Sequence, residues 1–246
     1  MCRLLAYASS EPATLATIVG PTLSDFVELS KEHKHGWGVT TCASIGGVQE
    51  RERDVAPAVE SSLFAEVASS KPTDGALVHL RLASKGLAID LSNNHPFIHG
   101  DISFMHNGTI RPGSSIEHLI DADLLEQLTS TTDSERYFFA ILTAAKKMGL
   151  IEAIAATVKE IASTADYSAI NSITLTPDFL IAVCQFNEAE QSEWSVPFHY
   201  ELRFAKEDGA IKVASTGWGH DDWTPLTNGK MLVVNRADLS YKILDI

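Results

Sequence analysis

Long apolar runs are missing from this 246-residue chain. None approaches the roughly 20 residues that a membrane-spanning helix requires. The opening stretch Leu4-Leu5-Ala6-Tyr7-Ala8 stops at Ser9 and has no basic lead-in, so it is not built as a secretory signal. Cysteine is scarce: Cys2, Cys42 and Cys184 are odd in number and far apart, which excludes a disulfide framework and fits a reducing cytoplasm. Basic charge is also short, with 19 Lys and Arg against 32 Asp and Glu and a net charge of −13. Neither nucleic acid nor an anionic membrane is an expected partner for such a surface. There is no HExxH and no paired CxxC, and His95, His99 and His106 lack carboxylates at ligand spacing, so no metal is expected. Without a repeat, a low-complexity tract or a Pro/Ser linker, residues 1–246 read as a single domain.

What remains is a soluble, globular composition, 45% hydrophobic and 21% charged. Cys2 to Ala8 and Gly75 to Leu82 read as buried strands, and Val39 to Ser44 and Val48 to Arg53 as a hairpin around Gly46-Gly47. Ile98 to His106 gives two short strands about Gly100-Asp101. Helical spacing marks Leu23 to Lys31, Ala56 to Ala68, Ile116 to Leu128, Ser134 to Met148 and Leu150 to Ile161. From Ser168 onward strands return: Ser172 to Leu175, Phe179 to Phe186, Phe198 to Ala205, Ile211 to Ser215, Met231 to Asn235 and Tyr241 to Leu244. Short turns join these late strands, which predicts mainly antiparallel sheets. Strands, then helices, then strands in one chain predict a layered α/β (α+β) arrangement with sheets inside and helices outside.

Position two holds the residue with most chemical promise. Removal of Met1 would leave Cys2 with a thiol and a free α-amine on one residue. A weak nucleophile needs a base, and an N-terminal residue carries its own. The unperturbed amine titrates near ~7.7–8.0 and the thiol near ~8.5, so the two are matched at neutral pH. Four later segments give this context: His35-Gly36-Trp37-Gly38, His79-Leu80-Arg81-Leu82-Ala83-Ser84, His106-Asn107-Gly108 and Thr132-Asp133-Ser134-Glu135. Asn-Gly is by itself a favoured turn dipeptide, and Thr132 to Glu135 reads as a helix capping box ahead of the apolar run from Tyr137.

Taken in order, these segments resemble the class II glutamine amidotransferases, closely from Cys2 to about Tyr137 and loosely beyond. The resemblance is strongest to the small stand-alone branch that includes YafJ-type proteins and γ-glutamyl amide hydrolases. It implies the N-terminal-nucleophile hydrolase fold, a four-layer αββα sandwich. It implies Cys2 as nucleophile and Asn107 and Gly108 as oxyanion donors. It implies Arg81 as the partner of a substrate α-carboxylate and Asp133 as the partner of its ammonium. Arginine suits the first role because it grips a carboxylate with two parallel hydrogen bonds. Gly36 and Trp37 resemble the segment running beside the nucleophile, and Ser84 and Asn94-His95-Pro96 resemble positions that line or brace the pocket. His35 stands where many relatives are acidic. His79 reads as a core histidine, and nothing is carried over to the loop around Trp218. The implied reaction is hydrolysis of the γ-amide of glutamine through a Cys2 thioester, without a cofactor. A separate synthase subunit receiving ammonia, hydrolysis of a γ-glutamyl amide or peptide without transfer, and a silent glutamine-binding subunit are the alternatives.

Overall fold

The computed structural model describes residues 2–44, 47–84, 86–190 and 199–246. In chain order the strands are β1 (Arg3–Ala13), β2 (Trp37–Cys42), β3 (Gln49–Asp54), β4 (Thr73–Leu80), β5 (Phe97–His99), β6 (Ile102–Arg111) and β7 (Asp166–Leu175). They continue with β8 (Phe179–Cys184), β9 (Leu202–Glu207), β10 (Ala210–Ser215), β11 (Thr224–Leu226), β12 (Lys230–Asn235) and β13 (Tyr241–Asp245). The α-helices are α1 (Leu15–Val19), α2 (Leu23–Glu28), α3 (Ser62–Ser70), α4 (Ala122–Leu125), α5 (Asp133–Ala145) and α6 (Leu150–Thr164). One sheet has the order β11-β9-β10-β1-β4-β2-β3 and the other β13-β12-β8-β7-β6-β5. Every named strand pairing is antiparallel.

The period-two alternation of a strand sorts its side chains into layers. Leu4, Ala6 and Ala8 of β1 face Met105, Ile173, Leu180, Ala182 and Leu232 across the gap between the sheets. Their neighbours Leu5 and Tyr7 point outward, to Leu15, Phe26 and Phe64 of α1, α2 and α3. On the second sheet Phe104, Ile181, Val183 and Met231 point outward to Tyr137, Phe138, Ile154 and Val158 of α5 and α6. Three apolar clusters separate four layers, helix–sheet–sheet–helix. This is the four-layer αββα sandwich that the sequence led us to expect. Both sheets are covered on both faces, which explains why their strands read as nearly continuous apolar runs.

Several elements differ from the sequence expectation. Ile116 to Leu128 is a 3-10 stretch over Gly113–Leu119 followed by the short α4, because the spacing of Ile116, Ile120 and Leu124 packs these residues beneath α5 without needing one continuous helix. Ala56 to Ala68 breaks at Ser61, whose hydroxyl accepts the Phe64 N–H and starts α3 afresh. Cys42 pairs with Gln49, so the β2–β3 connection takes residues 43–48 rather than a two-residue turn; Gly46 lies outside the described residues. Phe198 also lies outside them, and β9 begins at Leu202. No helix among the described residues is long and apolar enough to cross a membrane.

Candidate active site

The open ends of β1, β4 and β6 meet the N-terminus of α5 at one place. Cys2 precedes β1, Arg81 follows β4, Gly108 lies within β6, and Asp133 is the first residue of α5. Together they line a cavity of about 260 Å³ with Ser84, Leu87, Asn93, His95, His106, Thr109 and Thr132. That is smaller than the roughly 300–1,000 Å³ of drug-sized sites and suits a group the size of an amino acid.

The Cys2 thiol is half-buried and directs its hydrogen toward the Leu82 carbonyl at 3.7 Å. Burial pushes it above its ordinary range, and the positive terminal amine, the hydrogen bond to Leu82 O and the charges of Arg81 and Arg3 pull it only part of the way back. It therefore rests as a thiol and needs a base to become a nucleophile.

Arg81 is placed by backbone: its N–H donates to Gly36 O at 2.8 Å, and its carbonyl accepts from His35 N. One guanidinium nitrogen, Nη2, donates to Ala88 O at 3.0 Å, while Nη1 is buried with no partner. His35 serves the same corner, its Nδ1 accepting the Ala83 N–H at 3.0 Å. An acceptor is what that position needs, and imidazole supplies it as a carboxylate would.

Asp133 is held by the start of α5. Thr132 caps the helix by accepting Glu135 N–H at 3.2 Å. Asp133 Oδ2 accepts Ile110 N–H at 2.7 Å, tying the helix to β6. The capping box is only half closed. Glu135 turns its carboxylate to Thr129 and Ser130, accepting both backbone N–H groups. That fold-back, together with Asn93 Oδ1 accepting Thr131 N–H, fixes the wall of the cavity.

Asn107 and Gly108 sit where β6 departs from regular pairing, since the register with β7 shifts between Gly108 and Ile110. A bulge beside a site re-aims the groups next to it. Gly108 is required by close approach: a Cβ there would lie 1.7 Å from Ala169 O. Alternation sends His106 outward, toward Ser134 and Tyr137, and Asn107 inward on the face that also carries Met105. The Asn107 side-chain amide has no partner among the described residues, and its Oδ1 is buried. His106 donates from Nε2 to Ala169 O at 3.2 Å, so its Nδ1 accepts from the Ser134 hydroxyl at 2.9 Å.

Beneath this wall His79 and His95 stack with ring centroids 4.2 Å apart, and all four of their ring nitrogens are buried without partners. Burial, reinforced by Arg81, holds His79 down to about 3. Both rings are therefore neutral at physiological pH.

Of the residues singled out in the sequence, Cys2, Arg81, Ser84, Gly108 and Asp133 share the cavity; Asn107, next to Gly108 in β6, does not line it. Gly36 and Trp37 do not line it. Gly36 braces Arg81 and gives room to Asn94, whose Nδ2 a Cβ would meet at 2.3 Å. Trp37 is fully buried in the outer core against Phe64, at 5.1 Å between ring centroids. Gly38 is packed in the same way, against the His95 carbonyl. These glycines admit the Asn94-His95 segment rather than a substrate. His106, Asn93 and Ser134 were not legible as site residues, because only the contact of β6 with α5, and of the Leu91–Asn93 turn with Thr131, brings them in. No group of three or more His, Cys, Asp or Glu among the described residues could hold a metal ion.

A cysteine at the mouth of an αββα sandwich, beside an arginine with one unsatisfied nitrogen and an Asn-Gly bulge, marks this cavity as the candidate active site. The family described as "Glutamine amidotransferases class-II" matches residues 1–244, and the chain belongs to it. Among solved structures, a glutamine aminotransferase class-II domain protein from Silicibacter pomeroyi superposes with a TM-score of 0.70 at 18% identity, over 100% of this chain and 99% of that one. A predicted glutamine amidotransferase from Pseudomonas aeruginosa gives 0.56 at 17% identity, covering 100% of both chains. The glutamine phosphoribosylpyrophosphate amidotransferase of B. subtilis gives 0.64 at 17% identity, with 99% of this chain covering 49% of that enzyme. No curated protein sequence matches this chain.

Proposed function

We propose that the protein hydrolyses the γ-amide of glutamine or of a γ-glutamyl compound through a thioester on Cys2. The observation that carries this reading is the presence, in one small cavity with Cys2, of the Asp133 carboxylate and of an Arg81 guanidinium whose Nη1 has no partner. A γ-glutamyl head group carries an α-carboxylate and an α-ammonium, and these two side chains complement them. With Met1 removed, the Cys2 amine takes the thiol proton as sulfur attacks the γ-carbonyl carbon. The carbonyl electrons move to oxygen, where Asn107 and Gly108 N–H donate. As the oxyanion collapses the C–N bond breaks, and the proton passes to the departing amine. Water then adds to the thioester, releasing glutamate and restoring the thiol. The cytoplasm is the compartment proposed, and the released ammonia goes either to water or to a separate synthase subunit.

The test is an intact mass, to establish loss of Met1, followed by L-glutamine turnover monitored as glutamate and ammonia together. Wild type should form both in equal amounts and Cys2→Ala neither. Retained turnover in Cys2→Ala would remove the nucleophile assignment. Full activity in protein that keeps Met1 would remove the amine as base.

A further inference from the structure

The two neighbours of β1 give the nucleophile two different sides. On the β4 side stand Leu82, whose carbonyl faces the thiol, and Arg81. On the β10 side the chain runs from Ser215 into Gly217, and a second arginine lies against it. Arg3 leaves β1 on the outer face, with the parity of Leu5 and Tyr7, and folds back over the strand's open end. Its Nη1 donates to Cys2 O at 3.3 Å, and its Nε and Nη2 lie 3.7 Å from the Cβ position of Gly217. Arg3 is 9% exposed and its Nε is buried with no partner. No described carboxylate forms an ion pair with it, and Glu32 acts on it only from beyond that distance. His199 Nε2 is likewise buried without a partner, and the charge of Arg3 acts on that ring. The carbonyl of the next residue, Tyr200, accepts from the Asn171 side chain, and Asn171 is the register partner of Asn107. Trp218, His220 and Trp223 anchor the loop that carries Gly217, with Trp218 packed on Phe26 at 5.2 Å. A buried guanidinium with an open donor is costly unless an anion completes it.

We infer that Arg3, together with His199, forms a subsite for a carboxylate on the departing amine, so that the preferred substrates are γ-glutamyl amino acids or peptides. The inference rests on the reading of Cys2, Arg81 and Asp133 given above. With the γ-glutamyl head held on the β4 side, the amide nitrogen and whatever it bears point to the β10 side. Sulfur bonds to the γ-carbon, the C–N bond breaks, and the amine departs with the proton relayed from the thiol, as an intact amino acid. Water then clears the thioester.

γ-L-Glutamylglycine and γ-L-glutamylglycinamide differ only in the charge on the leaving group. Wild type should favour the first in kcat/KM by about tenfold or more, equivalent to ~1.4 kcal/mol. Arg3→Met should bring that ratio near one, and Arg3→Lys should keep part of it. A wild-type ratio near one, or an Arg3→Met variant slowed equally on both compounds, would overturn the subsite. In the second case Arg3 would act on Cys2 alone. If Arg3→Met does not fold, glycine and glycinamide serve as competing products on wild type, and equal competition overturns the inference. Turnover of both compounds that vanishes in Cys2→Ala upholds the site whatever the ratio. Turnover of no γ-glutamyl compound by protein free of Met1 removes the site reading and the subsite with it.

Discussion

Unsatisfied polar atoms are few in folded proteins, and several of those found here lie at or beside the site. Arg81 Nη1 and both ring nitrogens of His95 are buried without partners at the cavity, as are Asn107 Oδ1 beside Gly108 and the ring of His79 packed on His95. Such groups carry a desolvation cost that a ligand can relieve. Asn107→Ala should lower kcat on L-glutamine by about 10²–10³, roughly 2.7–4 kcal/mol, the usual effect of losing one preorganised oxyanion donor. KM should move far less, since the interaction strengthens as charge develops on oxygen. A raised KM with kcat preserved would make Asn107 a ground-state contact. Arg81→Lys keeps the charge but loses the planar fork. It should cost at least ~2 kcal/mol in kcat/KM, about 30-fold, and erase the preference for L-glutamine over its α-amide. If the lysine variant still discriminates, Arg81 is a structural residue. The residues that could be read from sequence are those whose type is dictated by chemistry: a thiol, a guanidinium, a carboxylate, an Asn-Gly pair. Trp37 was legible as a neighbour of the site but not as core, because only the pairing of β2 with β4 shows which way an aromatic ring faces.

At the scale of elements, the beginning of α5 couples stability to recognition. Thr132 caps the helix, and the next residue, Asp133, reaches across to Ile110 N–H. Thr132→Ala should cost about 1 kcal/mol in urea unfolding, within the usual 0.5–2 kcal/mol for a lost cap. It should also raise KM, because Asp133 loses its fixed starting point, and Thr132→Ser should restore both. An unchanged KM in the alanine variant would separate the cap from the recognition group. This cap was readable because its signal is local: a hydroxyl residue three positions before an acid, ahead of an apolar run. The stretch from Ile116 to Leu128 was misread for the complementary reason. Its apolar period matches a helix, yet Asp121 opens a new turn with extended backbone and no side-chain cap bond. What those residues pack against, the underside of α5, lies outside any local window. The extent of β6 was underestimated in the same way. The sequence signal fades at His106, whereas pairing with β7 carries the strand to Arg111 and so puts Asn107 and Gly108 inside a sheet rather than in a turn.

For the whole molecule, the four layers close over polar groups that must stay neutral. Burial holds His79 near 3 and His199 near 4, drives His95 well below its ordinary value and lowers His106 as well. In the unfolded chain each of these titrates near ~6.5. Between that value and the folded one, the unfolded state binds a proton that the folded state does not. Stability is therefore fully present above about pH 6.5 and is lost as pH falls, with each such histidine contributing a slope of up to ~1.4 kcal/mol per pH unit. The other end of the sandwich is joined by charge. Arg236, after β12, donates to Asp74 of β4 at 2.7 Å and also to the carbonyls of Cys42 and Thr176, linking the two sheets. Acid should thus loosen the molecule from the site inward. Urea unfolding at pH 7.5, 6.5 and 5.5 should show little change over the first step and a steep loss over the second. His79→Gln, which removes one of the protons taken up on unfolding, should flatten the second step by about one histidine's share. A profile that stays level down to pH 5.5 would mean that the histidines are solvated in the folded protein, and that the layers do not close over the site as described.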